Sequence, residues 1–144
     1  MKPVHLIVVC GLAFASAVAR SAETDDQTHA RKAATDVAGA FANDGFKTRD
    51  GFWAGMIKPA ERTLVAVNLY AGNQYWFSAG ANEQAKKIAV ELFDETGRQV
   101  PTEPYSAEGK AAAGFSPTSS GQYYVSLGVS GGEAAVCCLI YSYK

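Results

Sequence analysis

Side chains that could act as a nucleophile, a general base or a metal ligand are few in this sequence of 144 residues. Beyond the first 20 positions the sequence has a single histidine, His29, with no partner at zinc-ligand spacing. A nucleophilic serine needs a base held nearby, and no Gly-x-Ser-x-Gly elbow occurs. We therefore expect His29 to face solvent, and we predict neither a metal site nor nucleophilic catalysis.

Paired carboxylates are harder to exclude, because two such residues need not be close in sequence. Glu91 is the strongest candidate, since it lies on the outward side of a predicted strand. Asp94 and Glu95, just before Gly97, could suggest calcium, but the spaced series of acidic oxygens of a calcium loop is missing. We predict no cofactor and no enzymatic activity, with a small carboxylate-based hydrolase as an alternative.

Three large aromatic residues occupy outward positions of their predicted strands: Trp76, Phe93 and Tyr124. Trp76, for example, lies between Tyr75 and Phe77, which both point toward the predicted core. Large rings do not normally gather at solvent-facing positions, so these three are the candidate ligand-binding residues. A platform for a sugar or a peptide is one explanation. The other, which we favour, is that an amphipathic helix packs over them, because that helix needs an apolar partner.

Two cysteines, Cys137 and Cys138, are adjacent in the most apolar predicted strand. Neighbours in a strand point to opposite faces, so a bridge between them requires a distorted peptide. We expect two buried thiols that react slowly, because burial raises the pKa of a thiol. A vicinal disulfide and an intermolecular bridge are the alternatives in an oxidising compartment.

The first 19 residues have the anatomy of an export signal. Lys2 gives a positive start, an apolar run extends from Leu6 to Ala19, and residues 17–19 fit the small-x-small cleavage pattern. We predict cleavage after Ala19, no transmembrane anchor in the processed chain, and a periplasmic or secreted location; an uncleaved anchor is the alternative. The net charge of −1 gives no basic footprint for nucleic acid.

The rest of the chain divides into an N-terminal segment with a helix, residues 20–45, and a β-sandwich domain, residues 46–144. Thr24 and Gln27 have capping-box spacing, and the apolar residues that follow have helical spacing, which predicts an amphipathic helix over residues 25–43. Apolar alternation interrupted by turn residues then predicts seven or eight short strands. The expected fold is mainly β: an antiparallel β-sandwich preceded by one helix.

One face of each predicted strand is expected to form the core. The residues with the clearest inward phase are Tyr75, Phe77, Leu92, Phe115, Tyr123 and Val125. The segments 46–50 and 102–109 are expected to be a connector and a long irregular loop.

Three short stretches resemble the bacterial pre-peptidase C-terminal domain family. They are LYAGNQYWF (69–77), VELFDETG (90–97), and FSP followed by SGQYYV (115–117 and 120–125). The resemblance implies a jelly-roll-like sandwich, export and a non-catalytic accessory role. Some members of that family bind collagen or polysaccharide, and some bind calcium.

Together these features predict a secreted or periplasmic, non-catalytic domain that binds a protein, a peptide or a glycan. The alternative is a structural protein of the cell envelope, whose helix and sheets serve only its own stability or self-association. Loss of binding after changes to exposed aromatic residues would separate the two.

Overall fold

The computed structural model describes residues 23–144. The predicted export signal, residues 1–19, lies outside the described residues. Within the described range, no helix has the length and apolar character that a membrane crossing requires. One helix and ten strands occur between residues 23 and 144: α1 Asp25–Ala42, β1 Lys47–Thr48, β2 Trp53–Ile57, β3 Arg62–Leu69, β4 Tyr75–Ala81, β5 Ala85–Asp94, β6 Gln99–Val100, β7 Glu103–Ala107, β8 Lys110–Phe115, β9 Gly121–Gly132 and β10 Ala135–Tyr143.

The N-terminus of α1 is held by the predicted capping box. The Thr24 hydroxyl oxygen accepts a hydrogen bond from the Gln27 backbone N–H (3.2 Å), and the Gln27 side-chain oxygen accepts one from the Thr24 N–H (3.0 Å). These bonds satisfy N–H groups that a helix start otherwise leaves unpaired. The helix ends at Ala42, and Gly45 then takes a left-handed φ of 89°. The predicted helix over residues 25–43 is therefore confirmed.

The strands form two antiparallel sheets, which we call sheet A and sheet B. In sheet A, β10 pairs with β1 and β2 on one side and with β4 on the other, and β8 and β7 follow. Sheet B has the order β3-β9-β5-β6. The successive strands β2, β3, β4 and β5 alternate between the sheets, which is the connectivity of a jelly roll. The predicted antiparallel, jelly-roll-like sandwich is therefore confirmed.

The main core lies between the two sheets. Phe77 of sheet A and Leu92, Val125 and Leu127 of sheet B are fully buried in it. All six residues predicted to face inward belong to this core or pack against it: Tyr75, Phe77, Leu92, Phe115, Tyr123 and Val125. A shift of one residue would have placed them on the outer faces, so the predicted facing of the strands is confirmed.

Helix α1 packs on the outer face of sheet A. Its buried alanines, Ala30, Ala34 and Ala38, form a second apolar cluster with residues of β10. The approach to β4 is closest at Gly80, where an added Cβ would lie only 2.3 Å from the backbone nitrogen of Ala34. Small residues on both elements therefore set the distance between helix and sheet.

Two segments that were predicted to lack strands contain them. The connector at 46–50 includes β1, and the loop at 102–109 includes β7, which pairs with β8. All residues of β7 are exposed, so its sequence shows no alternation, and Pro104 is tolerated because β7 is an edge strand. With β1, β6 and β7 counted, the strands within residues 23–144 number ten rather than the predicted seven or eight.

Candidate functional site

Trp76 lies in β4 on the outer face of sheet A, beneath α1. Its indole ring stacks on Phe41 of the helix, with ring centroids 4.0 Å apart and ring planes 8° apart. Gly114 in the neighbouring strand β8 makes room for the indole, because a Cβ at that position would lie 2.9 Å from the ring. Trp76 therefore packs against the helix, which is the favoured of the two explanations for this residue.

Phe93 and Tyr124 lie on the outer face of sheet B, on the other side of the sandwich. They are direct cross-strand partners in β5 and β9, and their row continues through Ala66 of β3 and Gln99 of β6. Directly opposite residues of antiparallel strands have Cβ atoms about 4.5–5.5 Å apart, so the two side chains are neighbours. The three candidate aromatic residues therefore do not form one platform, because the sandwich separates Trp76 from the other two. The favoured explanation, that the helix packs over these rings, is correct for Trp76 and wrong for Phe93 and Tyr124.

The outer face of sheet B lacks the helical cover of sheet A, since α1, the single helix of residues 23–144, packs on sheet A. Phe93 and Tyr124 are half-buried, and Leu64 of β3 on the same face is 61% exposed. We call this surface, formed by Leu64, Ala66, Phe93 and Tyr124, the open face. Leu64 and Ala66 were missed as candidates, although the alternation along β3 places both on outward positions.

Polar side chains border the open face. Arg62 of β3 forms an ion pair with Glu91 of β5, and its guanidinium also donates a hydrogen bond to the hydroxyl oxygen of Ser126 (3.3 Å). The Tyr124 hydroxyl donates to the side-chain oxygen of Gln122 (3.3 Å). Polar groups beside an apolar surface can fix the orientation of a bound molecule. Glu91, the carboxylate considered for catalysis, is engaged here by a guanidinium.

The two cysteines are free thiols, and both are fully buried. Cys137 faces the core between the sheets and Cys138 faces α1, as expected for neighbours in a strand. Burial raises the pKa of both thiols to about 11; the nearby Cys138 adds to this effect at Cys137, and Arg31 opposes it at Cys138. The prediction of two buried, unbridged thiols is confirmed.

Asp94 and His29, the residues considered as metal ligands, have other surroundings. Asp94 Oδ1 accepts hydrogen bonds from the Thr96 hydroxyl (2.5 Å), the Thr96 N–H (2.9 Å) and the Arg98 N–H (3.0 Å). These bonds shape the β5–β6 turn, and the bond from the Thr96 hydroxyl is the main cause that lowers the pKa of Asp94. His29 is exposed on α1. In the part of the chain that the structure describes, no three His, Cys, Asp or Glu side chains are grouped to hold a metal ion.

A cleft of about 510 Å³, lined partly by charged side chains, lies between α1 and the β4–β5 and β7–β8 turns. Ion pairs line it, with Lys32 Nζ 3.0 Å from Asp36 Oδ2 and Lys86 Nζ 3.4 Å from Glu108 Oε1. Because acidic and basic side chains balance along its walls, the cleft does not select an ionic ligand by charge. No sequence pattern indicated this cleft, since its walls come from segments that are distant along the chain.

No protein-family model matches the chain, and no curated protein matches it significantly. The resemblance to the bacterial pre-peptidase C-terminal domain family therefore stays a prediction, and what is shown is an antiparallel β-sandwich with one preceding helix.

Proposed function

We propose that this protein is a non-catalytic binding domain that acts outside the cytoplasm, as a secreted or periplasmic protein. One observation carries the proposal: a cross-strand aromatic pair, Phe93 and Tyr124, lies on the open face, while α1 covers the other sheet. Grouped apolar side chains on a surface commonly mark a place where a partner binds. The predicted export signal at residues 1–19 supports the location.

The shape of the open face favours an extended partner, such as a glycan chain, a peptide or a protein segment. Small-molecule sites are concave and bury most of their ligand, whereas the open face runs across three adjacent strands of a sheet. Aromatic rings offer flat apolar surface to a sugar or to a peptide side chain. The hydroxyl of Tyr124 and the neighbouring Arg62–Glu91 ion pair add hydrogen-bonding groups along the same surface.

The test uses labelled protein on glycan and peptide arrays, followed by titration of any ligand that binds. Phe93→Ser and Tyr124→Ser each remove one ring from the open face, and Tyr105→Ser removes an exposed ring from β7 in sheet A as the matched control. A ring at the centre of an interface typically contributes about 2 kcal/mol or more, which corresponds to roughly 30-fold in affinity. We expect such a loss for the first two variants and parental affinity for Tyr105→Ser.

Two results would contradict the proposal. Binding that survives loss of both Phe93 and Tyr124 places the site elsewhere, provided that circular dichroism shows each variant to be folded. A parent protein that binds no array ligand and captures no partner from its native cell supports the alternative, a structural protein of the cell envelope. A small hydrolase has no specific observation in its favour, since Glu91 is paired with Arg62.

A further inference from the structure

Strand β3 is an edge of sheet B with a long unpaired side. On its inner side it pairs with β9 over eight consecutive positions without a bulge, from Arg62 opposite Gly128 to Leu69 opposite Gly121. On its other side no strand within residues 23–144 pairs with it. Eight residues at about 3.4 Å each leave an edge of roughly 27 Å with free backbone donors and acceptors.

The other edges of the sandwich carry devices that discourage pairing with another chain. Edge strand β7 contains Glu103 and Pro104, and the part of β5 not covered by β6 carries Lys86, Lys87 and a register irregularity. The remaining edge strands, β1, β2 and β6, have five residues or fewer. Natural proteins protect free edges by charged side chains, proline, bulges and short length, and of these β3 has only a charge at its first position, Arg62.

Exposed apolar side chains concentrate beside this edge. Leu64 is 61% exposed and Tyr70, just after β3, is 58% exposed. Tyr70 and the exposed Phe52 also line a groove of about 410 Å³ that runs beside Val65 and Ala66. A strand that paired with β3 would satisfy its backbone groups and cover apolar surface at the same time.

We propose that two copies of this chain associate through β3, with the two β3 strands antiparallel about a two-fold axis. The pairing would join two four-stranded B sheets into one continuous sheet of eight strands. Such an interface uses the same edge on both copies, so it closes after two subunits and removes the free edge from each.

The charges of β3 are compatible with self-pairing. Its single charged residue is Arg62. In the joined sheet, the outward side chains of both β3 strands must lie on the same face. This condition places the two-fold axis at a residue position of β3, near Leu64, Val65 or Ala66. Arg62 then lies opposite Ala66, Asn68 or Tyr70 of the second copy, which are all uncharged. Like charges directly opposite each other destabilise a strand pair, and none of these registers creates such a contact.

The first test is the mass of the native full chain in solution, measured by sedimentation from about 1 µM to about 1 mM, where weak protein pairs associate. We expect a concentration-dependent dimer. The double variant Leu64→Lys with Ala66→Lys brings lysines together across the axis and should weaken the dimer at least tenfold. Tyr105→Lys, which adds a lysine on edge strand β7, should leave it unchanged. Circular dichroism of each variant confirms folding, since all three substituted positions are exposed.

The second test locates the axis by disulfide cross-linking of Leu64→Cys, Ala66→Cys and Asn68→Cys, with Tyr105→Cys as control. The native thiols are buried, so added cysteines dominate the reaction under native conditions. Opposite residues in an antiparallel pair are about 4.5–5.5 Å apart, within reach of a disulfide, whereas residues two positions from the axis are roughly 14 Å from their own copies. We expect rapid linkage at position 64, at position 66, or between the two in a mixed sample.

Three results would overturn the proposal. One is a parent chain that stays monomeric over the whole concentration range, which would leave the edge for a strand of another protein. Another is a dimer that tolerates the two lysines. The third is cross-linking at positions 64 and 66, alone and mixed, no faster than at position 105.

Discussion

The close approach of α1 to β4 predicts a large effect from a very small substitution, Gly80→Ala. An added Cβ would lie 2.3 Å from the Ala34 nitrogen, 2.6 Å from the Ala33 Cβ and 2.7 Å from the Ala30 carbonyl oxygen. Two of these atoms belong to helix backbone, which cannot rotate away as a flexible side chain could. The helix must therefore move outward by about 1 Å to restore ordinary contact near 3.4 Å.

The expected change in the free energy of unfolding follows from the contacts that this movement of the helix weakens. Inserting a methyl group into a well-packed interface typically costs about 1–3 kcal/mol. The same movement weakens the stack of Phe41 on Trp76, and an aromatic pair contributes about 0.5–1.5 kcal/mol beyond its buried area. We expect Gly80→Ala to lower the free energy of unfolding by about 2–3 kcal/mol, a large part of the stability of an ordinary domain.

The assay combines urea unfolding with acrylamide quenching of tryptophan emission. The chain has two tryptophans, so a Trp53→Phe background leaves Trp76 as the single reporter. We expect Gly80→Ala to increase quenching of Trp76, because the helix shelters its ring. Gly39→Ala is the matched control: it adds a methyl group to α1 itself, where no atom lies within 4 Å, and it should stabilise the helix by about 0.5–1 kcal/mol.

Two outcomes would contradict a close contact between α1 and β4. If Gly80→Ala unfolds at the same urea concentration as the parent and Trp76 is quenched equally in both, the helix does not contact β4 at Gly80. Free quenching of Trp76 in the parent would lead to the same conclusion and would return this ring to the candidate binding residues.

Three further predictions test the core, the thiols and the processing site. Phe77→Ala should cost about 3–5 kcal/mol, because Phe77 is fully buried, and a parental urea midpoint would contradict the assigned strand face. Cys137 and Cys138 should be silent in native thiol titration and appear as two thiols per processed chain in denaturant. Unfolded thiols ionise at about pH 8.5, whereas burial keeps the folded thiols protonated up to about pH 11. The contribution of the two buried thiols to stability is therefore complete below about pH 8.5 and is lost as the pH rises to about 11. The intact mass of exported protein should correspond to a chain that starts at Arg20, and retention of residues 1–19 would contradict cleavage.

The facing of the strands was predictable from the sequence because burial imposes a period of two. Phe77, Leu92 and Val125 alternate with outward residues, and all three are fully buried. The helix was equally predictable, because Thr24 and Gln27 form the capping box that fixes its first turn. Local patterns of this kind depend on neighbours in sequence, which a single chain displays directly.

Strand β7 was not predictable from alternation. An exposed edge strand has no buried face, so its five residues carry no period of two. Pro104 is also typical of a loop, although a proline whose missing N–H would face solvent is compatible with an edge strand. β7 forms because β8 offers it a partner, and that partner becomes apparent only when the hairpin is in place.

The composition of the candidate site depended on pairings between distant strands. Alternation correctly put Trp76, Phe93 and Tyr124 on outer faces, but it could not say which strands share a sheet. The chain order gives no guide, because β4 pairs with β8 and β10 while β5 pairs with β6 and β9. The sheet order alone makes Phe93 and Tyr124 neighbours and puts Trp76 on the far side.

The two outer faces of the sandwich differ in how closely a helix can approach the strands, and this difference explains which sheet is covered. β4 presents Gly80 directly to Ala30, Ala33 and Ala34, so these alanines of α1 come within contact distance of the sheet. Trp76, a large ring on the same face, is accommodated because it lies against Gly114 and stacks on Phe41. Phe93 and Tyr124 would hold the same helix away from sheet B and leave voids around its short side chains, which well-packed interiors avoid. The alanine stripe therefore directs α1 to sheet A, and the same selection leaves the aromatic pair of sheet B available to a partner.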